Sequence, residues 1–336
     1  MIFFFIILSV INLLVFLNLQ KLSKFLNIYD TPDKKLKLHK KKMPILGGII
    51  LFINLIPIIF YQIFFLGDIL SININQLNFI EITSTLILIL GYFFLGLFDD
   101  KFNLSPNKKL LFSLIISLLA ILLNEQLSIK MMSLSFFENK IFFKNTSYIF
   151  SIFCILVLVN ALNFYDGING QSCIIFIVFF SYLFFKSDLN YFYLLIVYSI
   201  LFVFLLNIYN KTFLGDSGIY FLSVILSICL IYEHNIQQNI IYADEIFLLL
   251  LLPGVDLVRL TIFRILNNQN AFNGDRNHIH HLVIKKLSLK NTNIILFLLS
   301  VIPITLFSYI QLHFLQVFIV FLILYSLIIF FSKKNF

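Results

Sequence analysis

The chain has 336 residues, of which 60% are hydrophobic and only 12% are charged, and its formal net charge is +8. A water-soluble domain of this length could not bury so much apolar surface, whereas a lipid bilayer can solvate it. The composition therefore excludes a soluble globular protein and predicts an all-α, polytopic integral membrane protein. A nucleic-acid partner is not expected, because the positive charges follow a membrane topology.

Eleven apolar segments follow one another along the chain, and each predicts a transmembrane helix. They lie at residues 2–19, 45–66, 79–98, 109–123, 148–165, 172–186, 191–208, 218–232, 245–264, 293–309 and 314–331. The first segment lacks a basic leading region and a small-residue cleavage site, so we expect a retained helix rather than a signal peptide. Because no internal repeat or linker interrupts the pattern, residues 1–336 are predicted to form a single integral membrane domain.

The basic residues orient these helices. With eleven spans and the N-terminus outside, 20 of the 24 Lys and Arg residues fall on or near one side of the membrane. The positive-inside rule makes that side, and with it the C-terminus, cytoplasmic. Eight of the 16 acidic residues share this side and all eight are Asp, a short side chain suited to helix caps and metal binding. We expect the active site in the cytoplasmic stretches 20–44, 99–109, 160–172, 209–218 and 264–292.

The first of these stretches is strongly basic, with eight Lys residues from Lys21 to Lys42. They could anchor the loop to anionic lipid or attract a polyanionic substrate, and the two roles are compatible. The Gly47-Gly48 pair at the start of the next helix would permit close approach of the backbone to a ligand. In the second stretch, Asp99 and Asp100 end an apolar helix, where an anchoring Lys or Arg is usual.

The sequence NALNFYDGINGQS, residues 160–172, places Asn160, Asn163 and Asp166 three residues apart, on one helical face. Such a polar stripe in an apolar helix predicts a polar cavity in front of it. Gly167 and Gly170 would then end the helix and leave backbone N–H groups available to an anion or a base. The simpler alternative is a helix C-terminus followed by an Asn-Gly turn.

The sequence GDSG, residues 215–218, presents Asp216 between two glycines at the start of an apolar helix. The same letters surround the nucleophile of chymotrypsin-like proteases, but the membrane setting and the lack of a matching His/Asp framework exclude that reading. Asp216 could be a simple N-cap, and a residue of a metal or phosphate site is favoured.

The sequence DRNHIHH, residues 275–281, brings Arg276, His278, His280 and His281 together. Zinc binding and a plain solvated loop are alternatives, but no Cys is near and an Arg would repel a cation. Imidazoles beside an Arg are better suited to phosphate oxygens. Together with the Asp residues on the same side, the cluster predicts Mg²⁺ or Mn²⁺ bound through carboxylates and substrate phosphates. Phosphoryl transfer to or from a lipid is the leading reaction class.

These motifs, in this order, resemble those of the polyprenyl-phosphate N-acetylhexosamine-1-phosphate transferases, which are similar from about Asp30 to His281 and also share the eleven-helix count. The resemblance implies transfer of a sugar 1-phosphate from a UDP-sugar to undecaprenyl phosphate with release of UMP. It further implies an Mg²⁺ cofactor, a bacterial inner membrane location with the active site on the cytoplasmic face, and an initiating role in cell-envelope polysaccharide synthesis such as that of the lipopolysaccharide O-antigen. A homodimer is left open.

The resemblance also assigns roles to residues. Asp99 and Asp100 match the acidic pair that engages the lipid phosphate, and Asp216 matches the metal-binding residue. Neighbouring residues on a helix point about 100° apart, so we expect the two carboxylates to have different roles. Asp99 would face the lipid phosphate and the metal, and Asp100 would bind a cation such as Lys101 or Lys109. The other matching positions, all implied to bind substrate, are Lys37, His39, Lys109, Asn160, Asn163, Asp166, Gly167, Lys211, Asp256, Arg264, Arg276, His278, His280 and His281.

Departures from the family pattern concern the nucleotide and sugar more than the reaction. Ile45 stands where an Arg is common, Asn169 replaces a frequent second Asp, and the stretch 207–211 is one residue short. The HIHH form resembles the hexosamine branch, so UDP-GlcNAc is the expected donor, with UDP-linked 6-deoxy amino sugars as alternatives. A secondary transporter and another Mg²⁺-dependent membrane phosphotransferase are the rival functions. A transporter should show repeat symmetry and a polar site near the bilayer midplane.

Overall fold

The computed structural model describes residues 2–32, 42–61, 79–187, 190–235, 242–268 and 277–333. Thirteen helices and four short strands are present within these ranges. In chain order they are α1 (Ile2–Leu26), β1 (Tyr29–Asp30), β2 (Met43–Pro44), α2 (Gly47–Tyr61), α3 (Phe79–Phe102), α4 (Pro106–Leu123), β3 (Met131–Leu134), β4 (Phe137–Phe142), α5 (Ser147–Tyr165), α6 (Gln171–Lys186), α7 (Asn190–Ile208), α8 (Gly215–Asn235), α9 (Ala243–Leu249), α10 (Leu251–Leu266), α11 (Ile279–Ile284), α12 (Leu289–Ser308) and α13 (Phe314–Lys333).

The architecture is that of an all-α polytopic membrane protein, as the composition predicts. Eight of the described helices are long and apolar enough to cross a bilayer, and the pair α9–α10, bent by 71°, would be a ninth span. Helices α2 and α6 are apolar but shorter. Each of the eleven predicted segments overlaps one of these helices or the bent pair. The break at Leu250 divides one predicted segment, and α11 lies inside a stretch predicted as loop.

Helix α8 lies at the centre of the bundle. Within its most apolar window 83% of residues are buried, against 17% for α1 and for α13, which are therefore peripheral. Tyr220 and Phe221 of α8 are almost fully buried, and the rings of Phe52 (α2) and Phe93 (α3) stack 4.0 Å apart beside Phe221. Apolar packing between α2, α3 and α8 thus fixes the central helix, whose first residues carry the GDSG sequence.

Glycines allow the backbones of α2 and α3 to approach the start of α8. A Cβ atom on Gly48 would lie 2.3 Å from the backbone nitrogen of Gly218, and one on Gly96 would lie 2.5 Å from the Asp216 carbonyl oxygen. The N–H groups of Gly47 and Gly48 donate to the carbonyls of Phe213 and Leu214, both at 2.9 Å. The close backbone approach expected of the Gly47-Gly48 pair is therefore made to the chain itself, not to a ligand.

The stretch between α4 and α5 contains a β-hairpin. Strands β3 and β4 form an antiparallel hairpin, and the Asp244 carboxylate accepts a hydrogen bond of 2.9 Å from the backbone N–H of Ser135 at its turn. Alternating buried and half-buried residues in β3 pack the hairpin onto the helical bundle.

Candidate active site

One cavity of about 650 Å³ brings the predicted cytoplasmic stretches together. Residues of all five stretches contribute to its wall, although they are far apart along the chain. The residues that line the cavity are Tyr29, Asp30, Thr31, Ile45, Asp99, Asp100, Asn103, Leu104, Lys109, Asp166, Gly167, Ile168, Asn169, Asn207, Asn210, Phe213, Leu214, Gly215, Asp216, His281, Ile284 and Leu289. The cavity has a predominantly polar wall, in contrast to the apolar helices around it, and is the candidate active site.

The carboxylate of Asp100 caps the N-terminus of α8. Its Oδ1 atom accepts from the backbone N–H of Asp216 at 2.8 Å, and its Oδ2 atom accepts from the backbone N–H and the hydroxyl of Ser217 at 3.0 and 2.6 Å. The first N–H groups of a helix lack partners within the helix, and a carboxylate there also opposes the positive end of the helix dipole. Asp100 therefore joins the end of α3 to the start of α8 and holds Asp216 in place.

The Lys109 ammonium lies between two carboxylates at the cavity wall. It forms an ion pair with Asp99 Oδ2 and a second contact of 3.1 Å with Asp216 Oδ2. The other oxygen of Asp99 accepts from the backbone N–H of Leu104 at 2.8 Å, and the Asp99 side chain is almost fully buried. Asp216, by contrast, keeps 27% of its side-chain surface exposed. The cation is thus held by Asp99 rather than by Asp100, the reverse of the expectation.

The DGING loop, residues 166–170, forms a second part of the wall. Asp166 accepts from the Ser172 hydroxyl at 2.6 Å, and Gly170 takes a left-handed conformation with φ of 88° before α6 begins. Asp166 is exposed to the cavity, yet protein surrounds it on its other sides, and this partial desolvation raises its pKa from 3.8 to about 6 against the opposing effect of the Ser172 hydrogen bond. Asn169 donates to Asn210 at 2.7 Å, which ties this loop to the end of α7.

The histidine stretch is held by a buried carboxylate, Asp256. It accepts from His278 Nδ1 at 2.8 Å, from Arg259 Nη2 at 2.8 Å and from the Tyr325 hydroxyl at 2.6 Å. Arg259 donates in turn to the Tyr325 oxygen and to the Asn277 carbonyl, both at 2.6 Å. Asp256 is 1% exposed, so it binds no substrate in this arrangement. It fixes the position of His278 against α10 and α13.

His280 is buried behind the DGING loop. Its Nδ1 atom lies 3.0 Å from Gln171 Nε2, and its ring stands edge-on to Tyr165 with centroids 6.3 Å apart. A Cβ atom on Gly167 would lie 1.9 Å from His280 Nε2, so only glycine fits at that position. Burial, together with the neighbouring His281 and His278, lowers the pKa of His280 well below 6.5. His280 is therefore neutral at pH 7, whereas His281 lines the cavity.

This constellation of acidic, basic and amide residues can be compared with known proteins. The sequence model of glycosyl transferase family 4 matches residues 82–234, which include Asp99, Asp100, Asp166 and Asp216. This match covers somewhat less than half of the chain. Together with the relatives described below, it supports the expected family and an enzyme of the transferase type.

Bacterial relatives align with most of the length of this chain. It is 26% identical to a probable undecaprenyl-phosphate N-acetylglucosaminyl 1-phosphate transferase of Bacillus subtilis, over 75% of this chain and 68% of the relative. Undecaprenyl-phosphate alpha-N-acetylglucosaminyl 1-phosphate transferases of Escherichia coli K12 and Thermotoga maritima are 22% and 26% identical. The alignment with the E. coli protein covers 79% of this chain and 71% of that relative. The alignment with the T. maritima protein covers 83% of this chain and 80% of that relative. Relatives and apolar helices together indicate a multi-pass bacterial membrane protein.

Not every residue predicted for the site lies at the cavity. The Asn160 amide donates to the carbonyl of Leu156 at 2.7 Å, and Asn163 lies on α5 before Asp166, which follows the end of that helix. Neither asparagine lines the cavity, so the expected polar stripe does not form. Lys211 is exposed beyond Asn210, and Arg264 is buried in the last turn of α10. Lys37, His39 and Arg276 lie outside the described residues.

Other residues at or behind the cavity wall were missed in the sequence analysis. Asn207 accepts from the backbone N–H of Gly170 at 2.5 Å and donates to the Thr212 carbonyl at 3.0 Å, so it joins two walls of the cavity. Arg259 and Tyr325 hold Asp256, and Gln171 contacts His280. Each of these polar residues lies in an otherwise apolar segment, and a buried polar residue there needs a hydrogen-bonding partner. The sequence could therefore have indicated that they are paired, but not with which partner.

The donor set is compatible with Mg²⁺ without forming a complete metal cage. Among the residues that the structure describes, no three His, Cys, Asp or Glu side chains converge closely enough to hold a metal ion alone. Mg²⁺, however, commonly binds through one or two carboxylates and completes its shell with water and substrate phosphates. Asp216 meets this requirement, because its side chain keeps 27% of its surface exposed and faces the cavity.

Proposed function

We propose that this protein transfers N-acetylglucosamine 1-phosphate from UDP-GlcNAc to undecaprenyl phosphate, releases UMP, and so begins the synthesis of a cell-envelope polysaccharide. The observation that carries the proposal is the single cavity in which the Asp99, Asp100, Lys109 and Asp216 cluster faces the DGING loop and the histidine stretch. The names of the relatives supply the acceptor and the sugar. A wall with carboxylates and a lysine suits a reaction that depends on positioning and charge neutralisation.

The proposed topology has eleven spans, with the N-terminus outside and the C-terminus and active site in the cytoplasm. It counts α2, α6 and the bent α9–α10 pair as spans in addition to the eight long helices. The distribution of Lys and Arg supports the orientation through the positive-inside rule. In this arrangement the cavity opens at the membrane boundary, where a lipid acceptor can reach it from the bilayer and a nucleotide donor from the cytoplasm.

In the proposed reaction a phosphate oxygen of the acceptor forms a bond to the β-phosphorus of the UDP-sugar, and the bond from that phosphorus to the bridging oxygen breaks so that UMP leaves with its electron pair. The acceptor is a phosphate monoester with a second pKa of about 6, so it is already ionised at neutral pH. A strong general base is therefore unnecessary. Asp99 orients Lys109, and Lys109 offers its positive charge to the phosphates at the cavity wall.

The remaining groups position the substrates. Asp100 fixes the start of α8 and thereby the direction of the Asp216 carboxylate. Asp216 would hold the Mg²⁺ ion, or Mn²⁺, which when bound would neutralise charge on the diphosphate. Gly167 and Asn169 of the DGING loop form the part of the cavity wall that would contact the nucleotide, and His281 also lines the cavity.

Purified protein incubated with undecaprenyl phosphate, Mg²⁺ and a panel of UDP-sugars tests this proposal by the release of UMP. We expect UDP-GlcNAc to give the fastest release and omission of the lipid to abolish it. Faster release with a UDP-linked 6-deoxy amino sugar would change the donor and keep the reaction. No release with any donor would overturn the reaction and return attention to a transport function, which uptake of labelled UDP-sugar into proteoliposomes would reveal.

A further inference from the structure

Gln171 connects the DGING loop to the histidine stretch through two hydrogen-bonding contacts. Its Oε1 atom accepts from the backbone N–H of Gly167 at 3.3 Å, and its Nε2 atom lies 3.0 Å from His280 Nδ1. Gln171 and His280 are each 1% exposed, so water does not compete for these contacts. The residue stands at the start of α6, one position after the loop, and the proposed function gives it no role.

The backbone N–H of Gly167 determines which atoms donate and which accept in the hydrogen bonds that join Gly167, Gln171 and His280. An amide N–H can only donate, so the Gln171 atom that faces it is the carbonyl oxygen. The Gln171 NH₂ group then faces His280 and can only donate to it. His280 Nδ1 must therefore carry a lone pair, and in a neutral imidazole the proton is on Nε2.

The protonated nitrogen points at the wall of the active site. A Cβ atom on Gly167 would lie 1.9 Å from His280 Nε2, which means that this ring edge lies directly against Gly167. Gly167 lines the cavity between Asp166 and Ile168. A donor at Nε2 is thus presented at the loop that is expected to hold the nucleotide.

The charged and polar groups around His280 keep the ring neutral. His278 and His281 belong to its own segment, Asp256 faces it from α10, and Tyr165 faces it from α5. Burial and the two imidazoles lower the pKa of His280 well below 6.5, and Asp256 acts in the opposite direction with a smaller effect. The ring accordingly acts as a neutral hydrogen-bond donor and not as a cation.

We propose that Gln171 is a positioning residue that fixes His280 as the Nε2–H tautomer, so that the protonated edge of a neutral ring packs against Gly167 and sets the position of the DGING loop at the cavity wall. The tautomer follows from the contacts of the protein alone. That the positioned loop holds a sugar nucleotide rests on the proposed function.

Gln171→Glu is the variant that separates this role from simple packing. The new carboxylate still accepts from Gly167, but its second oxygen also accepts, so His280 must present a proton at Nδ1. Above the pKa of His280, the neutral ring would carry its single proton on Nδ1 and none on Nε2. Below that pKa, the imidazolium would carry protons on both nitrogens. The nearby negative charge also raises the pKa of His280.

The ring nitrogens can be observed directly by ¹⁵N NMR of protein labelled at histidine, without any substrate. The His280 signals are assigned by their loss in His280→Asn. In the wild-type protein we expect a protonated Nε2 and an unprotonated Nδ1 throughout pH 6–8, and in Gln171→Glu a protonated Nδ1. Gln316→Glu is the matched control, because Gln316 Oε1 also accepts a backbone N–H beside a histidine, from His313 at 3.1 Å, away from the cavity. It should leave the His280 signals unchanged.

Activity gives a second readout. For Gln171→Glu we expect UMP release to fall about tenfold as the pH rises through the raised pKa of His280, because the Nε2 proton beside Gly167 is lost. Gln171→Met should lower UMP release several-fold at every pH and give a mixture of tautomers, and it tests the same role if the Glu variant folds poorly. A wild-type His280 protonated at Nδ1, or a Gln171→Glu spectrum identical to wild type, would overturn the proposal. If no donor gives UMP, the proposed function fails while the NMR result still decides the tautomer.

Discussion

The carboxylate of Asp100 accepts the backbone N–H groups of Asp216 at 2.8 Å and of Ser217 at 3.0 Å, so the last turn of α3 holds the first turn of α8. Two acidic residues that are 116 positions apart along the chain are thereby placed side by side. The position of Asp216 depends on Asp100, and this dependence leads to the first prediction.

Asp100→Asn should reduce both stability and activity. The amide keeps one acceptor oxygen, but its NH₂ group meets a backbone N–H that it cannot accept, and an unsatisfied donor in such a place costs about 1–3 kcal/mol. We expect a lower melting temperature in detergent and a loss of UMP release of at least a hundredfold. Asp244→Asn is the control, because this carboxylate also accepts a backbone N–H but does not line the cavity, and it should affect stability without a comparable loss of activity.

Lys109→Met should make stability depend on divalent cations. Removing the ammonium leaves the carboxylates of Asp99 and Asp216 facing each other without a counter-ion, which is unfavourable. We expect a lower melting temperature without Mg²⁺, and a larger increase on adding Mg²⁺ than the wild-type protein shows. Lys108→Met, which removes the exposed neighbouring lysine, should behave as wild type. An identical response of both variants to Mg²⁺ would argue against a cation site at these carboxylates.

Asp216→Asn should nearly abolish Mg²⁺-dependent UMP release, because a neutral amide is a much weaker ligand for a hard cation than a carboxylate. The backbone N–H of Asp216 still donates to Asp100, so the fold should persist. Equilibrium binding of Mn²⁺, measured by electron paramagnetic resonance, reports on the metal independently of turnover. Turnover and Mn²⁺ binding close to those of wild type would remove Asp216 from the metal site.

The sequence predicted the apolar helices and the stretches that together form the cavity, because both follow from hydropathy and charge, which are local properties. The structure also gives Asp99 and Asp100 different partners, as helix geometry predicts. The sequence did not show which of them holds Lys109, since that depends on how α3, α4 and α8 pack.

The asparagine stripe shows a second limit of the sequence. The spacing of Asn160, Asn163 and Asp166 predicts a shared face only while the helix continues, and α5 ends at Tyr165. The pattern likewise did not indicate that Gln171 contacts His280, which is 109 positions away along the chain. Periodicity describes one element, whereas these interactions are set by tertiary packing.

The pH dependence of stability should reveal the buried His280. Its pKa is lowered well below 6.5 in the folded protein, so below pH 6.5 the unfolded chain binds a proton that the folded chain does not. Stability therefore falls as the pH decreases from 6.5 and is unaffected by this group above it. We expect the melting temperature to drop between pH 6.5 and pH 5, and His280→Asn to lose part of that drop. An unchanged pH profile in the variant would show that His280 is not the responsible group.

Gly167→Ala should abolish activity through a single methyl group. The added Cβ atom would lie 1.9 Å from His280 Nε2, and both the ring and the loop must move apart to accommodate it. We expect the hydrogen bonds of Gln171 to be lost and UMP release to fall at least a hundredfold, with a modest decrease in melting temperature. Gly254→Ala is the matched control, because a Cβ atom there meets nothing within 4 Å, and alanine favours a helix over glycine. Wild-type activity in Gly167→Ala would mean that the loop and His280 are not in contact during turnover.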